Sequence, residues 1–222
     1  KQWFKVLELM GYDWHDELVH VPYGTVSLNG AKLATRTGNV ILLRDLFAES
    51  IAKVAAIMDE KNPNLENKEK ISEEVGVGAI VFYYLSNNRM RDINFMMEDA
   101  LSFDGNTGPY AQYTYARTCS VLAKSPDYDK NAALKITSPD ETSLLKTLSR
   151  FEEVVREAIA AYEPSVVTRY ILDVAGAYNR FYHNCSILGA ESEEIKNTRL
   201  VLTEAAKILI QTKLSSYRKF KK

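Results

Sequence analysis

Apolar residues recur along this chain at two spacings, helical and alternating, and the changes between them mark out its elements. Trp3, Phe4, Leu7 and Met10 lie at helical intervals, which predicts the end of an amphipathic helix over residues 1–11. LVHVPYGTVSL, residues 18–28, is rich in β-branched and aromatic side chains but carries Pro22 and Gly24. It predicts two short strands or one bulged strand. The Asn-Gly and Gly-Asn pairs that bracket NGAKLATRTGN mark an exposed loop. Helices are predicted over 43–61 and from about 68 to 86, and an irregular or extended stretch over 91–106. From Thr107 the pattern is helical: 107–124, one long helix over 139–162 with a capping signal at Ser138 to Glu141, 164–188 after Pro164, and 192–214. Four helices with short connections predict an antiparallel bundle, so the fold is mainly α with a boundary near 104–107, giving domains 1–104 and 105–222.

Composition narrows the function classes. Of 222 residues, 46% are apolar and 26% charged, the ordinary range of a globular protein. The longest apolar run, VGVGAIVFYYL, is about half the roughly 20 residues that span a bilayer, so no membrane partner is expected. The start, KQWFKVLELMGY, has neither an initiator Met nor a signal-peptide layout and reads as a cut inside a longer protein. Cys119 and Cys185 are far apart and His15, His20 and His183 do not pair at ligand spacing, so neither a disulfide framework nor a metal site is expected, and a reducing cytosol fits. A net charge of −1 does not mark the whole chain as a nucleic-acid binder. The charge is nevertheless uneven: residues 1–104 hold 11 basic and 16 acidic side chains, whereas 105–222 hold 17 and 13. Five of the latter basic residues belong to KLSSYRKFKK, which also reads as a solvated tail.

FDGNTGPYAQYTYAR, residues 103–117, carries the most specific chemistry. Thr107 is a cap and Pro109 a tolerated first-turn residue, so a helix starts directly before three tyrosines. Tyr110, Tyr113 and Arg117 fall at i, i+3 and i+7, on one face, while Tyr115, Cys119 and Leu122 fall on another. Two flat rings and a guanidinium on one stripe suit unpaired bases and a phosphate. The same pattern also fits a tyrosine-rich domain interface in which each hydroxyl finds a backbone partner.

The longer phrase LSNNRMRDINFMMEDALSFDGNTGPYAQYTYARTCSVL resembles the junction at which the catalytic domain of arginyl-tRNA synthetases meets their helical anticodon-binding domain. Phe103, Asp104, Gly105, Asn106, Thr107, Gly108, Pro109, Tyr110, Gln112, Tyr113 and Arg117 carry the resemblance. HVPYGTVSLNGAKLATRTGN is similar to the family's signature loop with its preceding strand, and NRFYHNCSILGAE to its late Asn-x-Phe-Tyr-x-x-Cys helix. The resemblance runs to about Lys213. It implies the partial α/β end of a class I synthetase catalytic domain, then an anticodon-binding bundle. It also implies a cytoplasmic, monomeric arginine–tRNA ligase that uses ATP with Mg2+ as substrate, needs no prosthetic group, and takes arginine and tRNA(Arg) as partners.

Residue by residue, the resemblance places Tyr110, Tyr113 and Tyr182 at the anticodon loop, with Arg117 beside them and Asn179 and Arg180 on the Tyr182 helix. Asn179, Tyr182 and Cys185 share i, i+3 spacing and would form a mixed polar and aromatic stripe; packing of Phe181 and Tyr182 into the bundle is the alternative. In the loop, Lys32 matches the first lysine of the Lys-Met-Ser-Lys-Ser pattern, and Thr35 and Arg36 match the Thr-Arg pair usual in arginyl enzymes. Lys32 and Thr35 would face the ATP phosphates, with Arg36 as a fixed cation. Ala34 stands where relatives have a serine or lysine, so one possible phosphate partner is missing.

The family's His-x-Gly-His ATP-binding signature does not occur in this sequence, and SSYRKFKK replaces the usual Ala-Pro-Glu-x-Met ending. The expectation is therefore a C-terminal portion that is inactive alone. Gly76 and Gly78, a lone GxG inside an apolar helix, suggest close packing and not a nucleotide site. Two other readings stay open here: a catalytically inactive tRNA-binding paralogue, and a related bundle used only for protein contacts.

Overall fold

The computed structural model describes residues 2–32 and 42–216, and their side chains except those of Lys32 and 212–216. The first part opens with α1 (Gln2–Leu9) and a 3-10 turn, Asp13–Glu17. Strand β1 (Val26–Leu28) then turns at Asn29 and Gly30, both at positive φ, into β2 (Ala31–Lys32). Helices α2 (Leu43–Lys61) and α3 (Lys68–Ser86) form the crossover to β3 (Ile93–Phe95), which pairs parallel with β1 in register Ser27 to Asn94. Sheet order is β2-β1-β3, with β1 and β2 antiparallel. A short α4 (Met97–Leu101) follows, then α5 (Gly108–Ala123), α6 (Pro139–Ser149), α7 (Phe151–Ala161), α8 (Pro164–Asn184) and α9 (Glu193–Ser216).

Three sequence expectations change, each for a local reason. Only Val26–Leu28 of the predicted strand region forms strand. Pro22 has no N–H to give a ladder, and Gly24 is pressed so close to the next segment that a Cβ there would lie 2.2 Å from the Arg91 carbonyl oxygen. The stretch 91–106 is not irregular throughout, because Met97, Ala100 and Leu101 bury a five-residue helix too short to show periodicity. The long helix 139–162 breaks at Arg150, where ψ is −1°. No Gly or Pro announces the break. Instead the Tyr170 hydroxyl of α8 lies 2.9 Å from the Thr147 carbonyl oxygen and 3.1 Å from that of Leu148, near the end of α6. The bundle therefore has five described helices, not four. The apolar face predicted over residues 1–11 is only partly covered: Phe4 and Leu7 are half-buried, Trp3 and Met10 are exposed, and α1 fully buries no residue.

Two apolar cores meet along α3. One joins Ile80 and Ala79 to Leu46, Val54, Phe95 and Leu101. The other joins Phe82 to Leu144, Ile171, Tyr178, Phe181 and Leu200 in the bundle. The glycine pair of α3 serves packing, as its setting in an apolar helix suggests. A Cβ on Gly76 would sit 2.9 Å from the Ile51 amide nitrogen of α2, and one on Gly78 2.7 Å from Gln112 of α5. Helix α8 is the bundle's central member, packing on α3, α5, α6, α7 and α9.

A polar clamp fixes the corner between α7 and α8 to the first part of the chain. The Arg89 guanidinium donates to the carbonyls of Tyr162 (2.8 Å), Ala161 (3.2 Å) and Pro22 (2.9 Å). Beside it, the Glu163 carboxylate accepts from Asn88 Nδ2 and also from the Ser165 N–H at the start of α8.

A buried ion pair holds the far end of the bundle. Ser138 and Glu141 form the capping box expected from the sequence. The second oxygen of Glu141, which is fully buried, accepts from Arg199 Nε at 2.7 Å, and Arg199 also donates to the Ser186 carbonyl at 2.7 Å. Burial alone would raise the Glu141 carboxyl, but the Thr137 N–H, Arg199 and the Ser138 N–H outweigh it and hold it below its ordinary value of 4.5. Removing one partner of a buried pair strands the other charge, so Arg199→Met should cost about 3–5 kcal/mol in urea denaturation. Because the folded-state pKa is depressed, the Glu141 contribution is fully present above 4.5 and fades as pH falls through the folded value. Glu141→Gln should thus lose less stability than wild type between neutral pH and about pH 3; an equal loss in both would show that this carboxyl does not drive the acid transition.

Candidate nucleic-acid interface

The start of α5 is built as the Thr-Gly-Pro sequence suggests. Thr107 Oγ1 accepts the Tyr110 N–H at 3.2 Å and donates to the Ser102 carbonyl at 2.6 Å, and Pro109 lies in the first turn. Gly108 lets the helix end approach α3, since a Cβ there would lie 3.0 Å from Phe82 Cβ and 3.1 Å from Ala79 Cα. Ala111, Thr114 and Thr118 then face the core, each fully buried. That face rotates Tyr113 outward, 55% exposed, and leaves Tyr110 half-buried. Gln112 turns the other way and donates to the Glu74 carbonyl of α3 at 3.3 Å.

Helix α8 supplies the facing residues. Phe181 is fully buried while Tyr182 is 41% exposed, so the Phe-Tyr pair divides between packing and surface. Asn179 sits at the centre of the arrangement. Its Nδ2 donates to the Tyr110 hydroxyl at 3.0 Å and to Thr114 Oγ1 at 2.9 Å, and its Oδ1 accepts from Arg117 Nη1 at 2.5 Å. The Arg117 guanidinium lies between two exposed rings, its Cζ 4.8 Å from the Tyr113 centroid and 4.7 Å from that of Tyr182. It also donates to the Tyr113 hydroxyl at 3.1 Å. Behind Tyr182 the Tyr178 ring is 6.3 Å away, and burial pushes its phenol up to about 12.

Tyr110, Tyr113, Arg117, Asn179 and Tyr182, drawn from two stretches about 60 residues apart, therefore form one connected cluster. The hydroxyls of Tyr110 and Tyr113 contact side chains and not backbone, unlike the interface pattern considered from sequence. Cys185 does not join the stripe. Helix α8 ends at Asn184, and Cys185 adopts extended backbone with its buried Sγ 3.2 Å from Ser138 Oγ. Arg117, read from sequence as a phosphate holder, spends two donors inside the cluster, where it ties the rings together.

Sequence reasoning missed Thr114, whose hydroxyl anchors Asn179, and a cleft of about 390 Å3 beside the cluster. Arg117, Lys124, Tyr182 and His183 line that cleft, along with the chain at Ser186 and Leu188. Lys124 lies one residue past the end of α5, where no motif marks it. Of the loop residues, Lys32 ends strand β2, its side chain lies outside the described residues, and so do Thr35 and Arg36. Among the described residues no group of three or more His, Cys, Asp or Glu is placed to hold a metal, and no helix is long and apolar enough to cross a membrane.

Comparisons with known proteins bear on this surface. The family described as the DALR anticodon binding domain matches residues 111–216, and the family described as the catalytic domain of class I (R) tRNA synthetases matches residues 1–97. The chain is 48% identical over 216 residues to the arginine–tRNA ligase of Clostridium acetobutylicum and 44% identical to that of Alkaliphilus metalliredigens. It spans 97% and 96% of itself in these matches but 38% of the length of each relative. The arginyl-tRNA synthetase structure from Thermus thermophilus superposes on 96% of the chain, and on 37% of its own, with a TM-score of 0.84 and 32% identity. The Plasmodium falciparum arginyl-tRNA synthetase, at 22% identity, shares the fold with a TM-score of 0.79 over 97% of this chain and 38% of its own.

Asn179 makes three bonds that hold the cluster, so Asn179→Ala should destabilise the fold by about 1–3 kcal/mol, the cost of leaving buried polar partners unmet. Chemical denaturation checks this. A stability change within about 0.5 kcal/mol, typical of an ordinary surface substitution, would show that the tyrosines are held without it.

Proposed function

The chain belongs to the arginyl-tRNA synthetase family, and from that premise we propose that its protein joins arginine to tRNA(Arg) through an arginyl-adenylate formed from ATP with Mg2+. In this reading residues 1–104 are the end of the catalytic domain and 105–222 are the anticodon-binding domain. The protein is a cytoplasmic monomer. The carrying observation is the cluster of Tyr113, Arg117 and Tyr182, two half-open rings bridged by one guanidinium, within the stretch similar to anticodon-binding domains.

The physical logic is that of single-strand recognition. Unpaired bases stack on exposed aromatic faces, and stacking is sequence-tolerant unless polar groups beside it read the base edges. Tyr113 and Tyr182 supply the faces, while Arg117 keeps both rings in place before RNA arrives, which lowers the ordering cost of binding. Tyr110 and Asn179 brace the cluster from the helix side. At the other site, adenylate formation develops negative charge on the leaving pyrophosphate. Lys32, Thr35 and Arg36 are the residues of this chain that would meet that charge, as two cations and a hydroxyl donor.

Titration of tRNA(Arg) tests the cluster. Tyr113→Ala should weaken binding by about 1–3 kcal/mol, the usual worth of one base–aromatic stack, with an unshifted thermal melt. A stably folded Tyr113→Ala protein with wild-type affinity would remove this residue from the RNA surface. In the intact synthetase, Lys32→Ala should slow arginine-dependent ATP–pyrophosphate exchange by about 2.7–4 kcal/mol, as loss of one pre-organised donor does. Because the sequence holds no His-x-Gly-His, the 222-residue chain alone should catalyse no such exchange. Robust exchange by the purified chain would overturn that assignment.

A further inference from the structure

Tyr110 also lines a second cleft, of about 540 Å3, that the cluster does not use. Its walls come from three places in the chain: Asn106 ahead of α5, Thr147 and Arg150 at the break between α6 and α7, and Asp173 and Arg180 of α8. Arg180 is exposed and makes no hydrogen bond or ion pair with any described residue. Its guanidinium lies back over Gly176, where a Cβ would be 3.6 Å from Nη1, so it sits along the cleft wall. Arg150 is nearly as unengaged. Its Nε is 3.8 Å from a Glu153 carboxylate oxygen, with the two side chains 58% and 74% exposed, a spacing and exposure at which an ion pair contributes little.

The two arginines stand against one lining carboxylate, Asp173, and leave the cleft cationic. Its position gives the charge a use. Asn179 points into the aromatic cluster, and Arg180, the next residue of α8, faces the cleft, so adjacent positions of one helix serve the two surfaces. A strand whose bases stack on Tyr113 and Tyr182 carries a phosphate at every nucleotide, and those phosphates need placing beside the rings. Arginine presents a planar fork of donors that matches phosphate oxygens. In the cluster itself Arg117 already spends two donors on Asn179 and Tyr113, whereas Arg180 spends none on described residues and Arg150 meets only a long, exposed contact to Glu153.

We propose that this second cleft holds a backbone phosphate of the bound RNA through Arg180 and Arg150. The proposal rests on the reading of the tyrosine cluster as an RNA surface, and it assigns the cleft to affinity, while the rings and their polar neighbours carry base recognition. The test is a titration of tRNA(Arg) transcript onto the 222-residue chain at several KCl concentrations. The variants are Arg180→Ala, Arg150→Ala, Arg180→Lys and Tyr113→Ala. Removing one cation that neutralises a phosphate lowers the slope of log K against log[salt] by about 0.7 for single strands. Arg180→Ala and Arg150→Ala should each show that drop, Arg180→Lys should keep the wild-type slope, and Tyr113→Ala should weaken binding at unchanged slope. Both arginines are exposed, so thermal melts should not move. Wild-type slopes in the arginine-to-alanine variants, with Tyr113→Ala still weakened, would overturn the cleft assignment and leave the cluster standing. Unchanged binding in every variant, Tyr113→Ala included, would remove the cluster reading and this proposal together.

Discussion

Helix α3 must bury two sides at once, and the placement of everything else depends on how it does so. Ala79 and Ile80 belong to the core beneath the sheet, and Phe82, two residues on, belongs to the bundle core. Fully buried faces on opposite sides of one helix require neighbours on both sides at short range, which large side chains would prevent. Gly76 admits α2, and Gly78 with Gly108 admits α5. The first turn of α5 is therefore seated against the crossover helix, and the outward direction of Tyr113 follows from that seating. Arg89, just past the end of α3, adds a polar constraint at the same junction by reaching Pro22 on one side and Ala161 and Tyr162 on the other. Its bonds to carbonyls fix position more than they add stability, because each replaces a bond to water.

The tyrosine cluster is a polar arrangement built at a rim. Asn179 cannot satisfy its amide within α8 and finds partners on α5, so the two helices are pinned in rotation as well as in distance. Arg117 loses some hydration between the rings but regains it through two hydrogen bonds and two ring faces. The outcome is a pair of aromatic faces that stay partly exposed yet are held in place. A binding surface for flat ligands needs that combination, since rings free to swing would lose rotamer entropy on binding.

The wall of the neighbouring cleft is fixed from farther away. Arg199 of α9 holds the Ser186 carbonyl while pairing with Glu141, and Ser138 of the same capping box touches Cys185. A helix start, a helix interior and a loop thus share one buried network. A fully satisfied network of this kind specifies geometry, and a half-satisfied one is costly, so the loop at 185–189 inherits the rigidity of the bundle.

Much of this was legible in the sequence because its cause is local. Thr107 and Pro109 start a helix wherever they are placed, Ser138 and Glu141 cap their own backbone, and the i, i+3, i+7 spacing puts Tyr110, Tyr113 and Arg117 on one stripe. The phrase around these residues is also long enough to carry the family resemblance. Local pattern could not reveal how distant segments meet. The break at Arg150 sits where Tyr170, some twenty residues on, meets the carbonyls of Thr147 and Leu148; the short helix Met97–Leu101 exists because a core covers it; and Cys185 leaves its stripe because α8 stops one residue earlier. The second cleft has the same origin, since no motif marks Arg150, Arg180 fills the unspecified position of the Asn-x-Phe-Tyr-x-x-Cys stretch, and the two meet only when α8 packs against the α6–α7 corner. Sequence spacing determines which residues share a face of their own helix, whereas which faces meet is decided by side-chain packing among helices far apart in the chain.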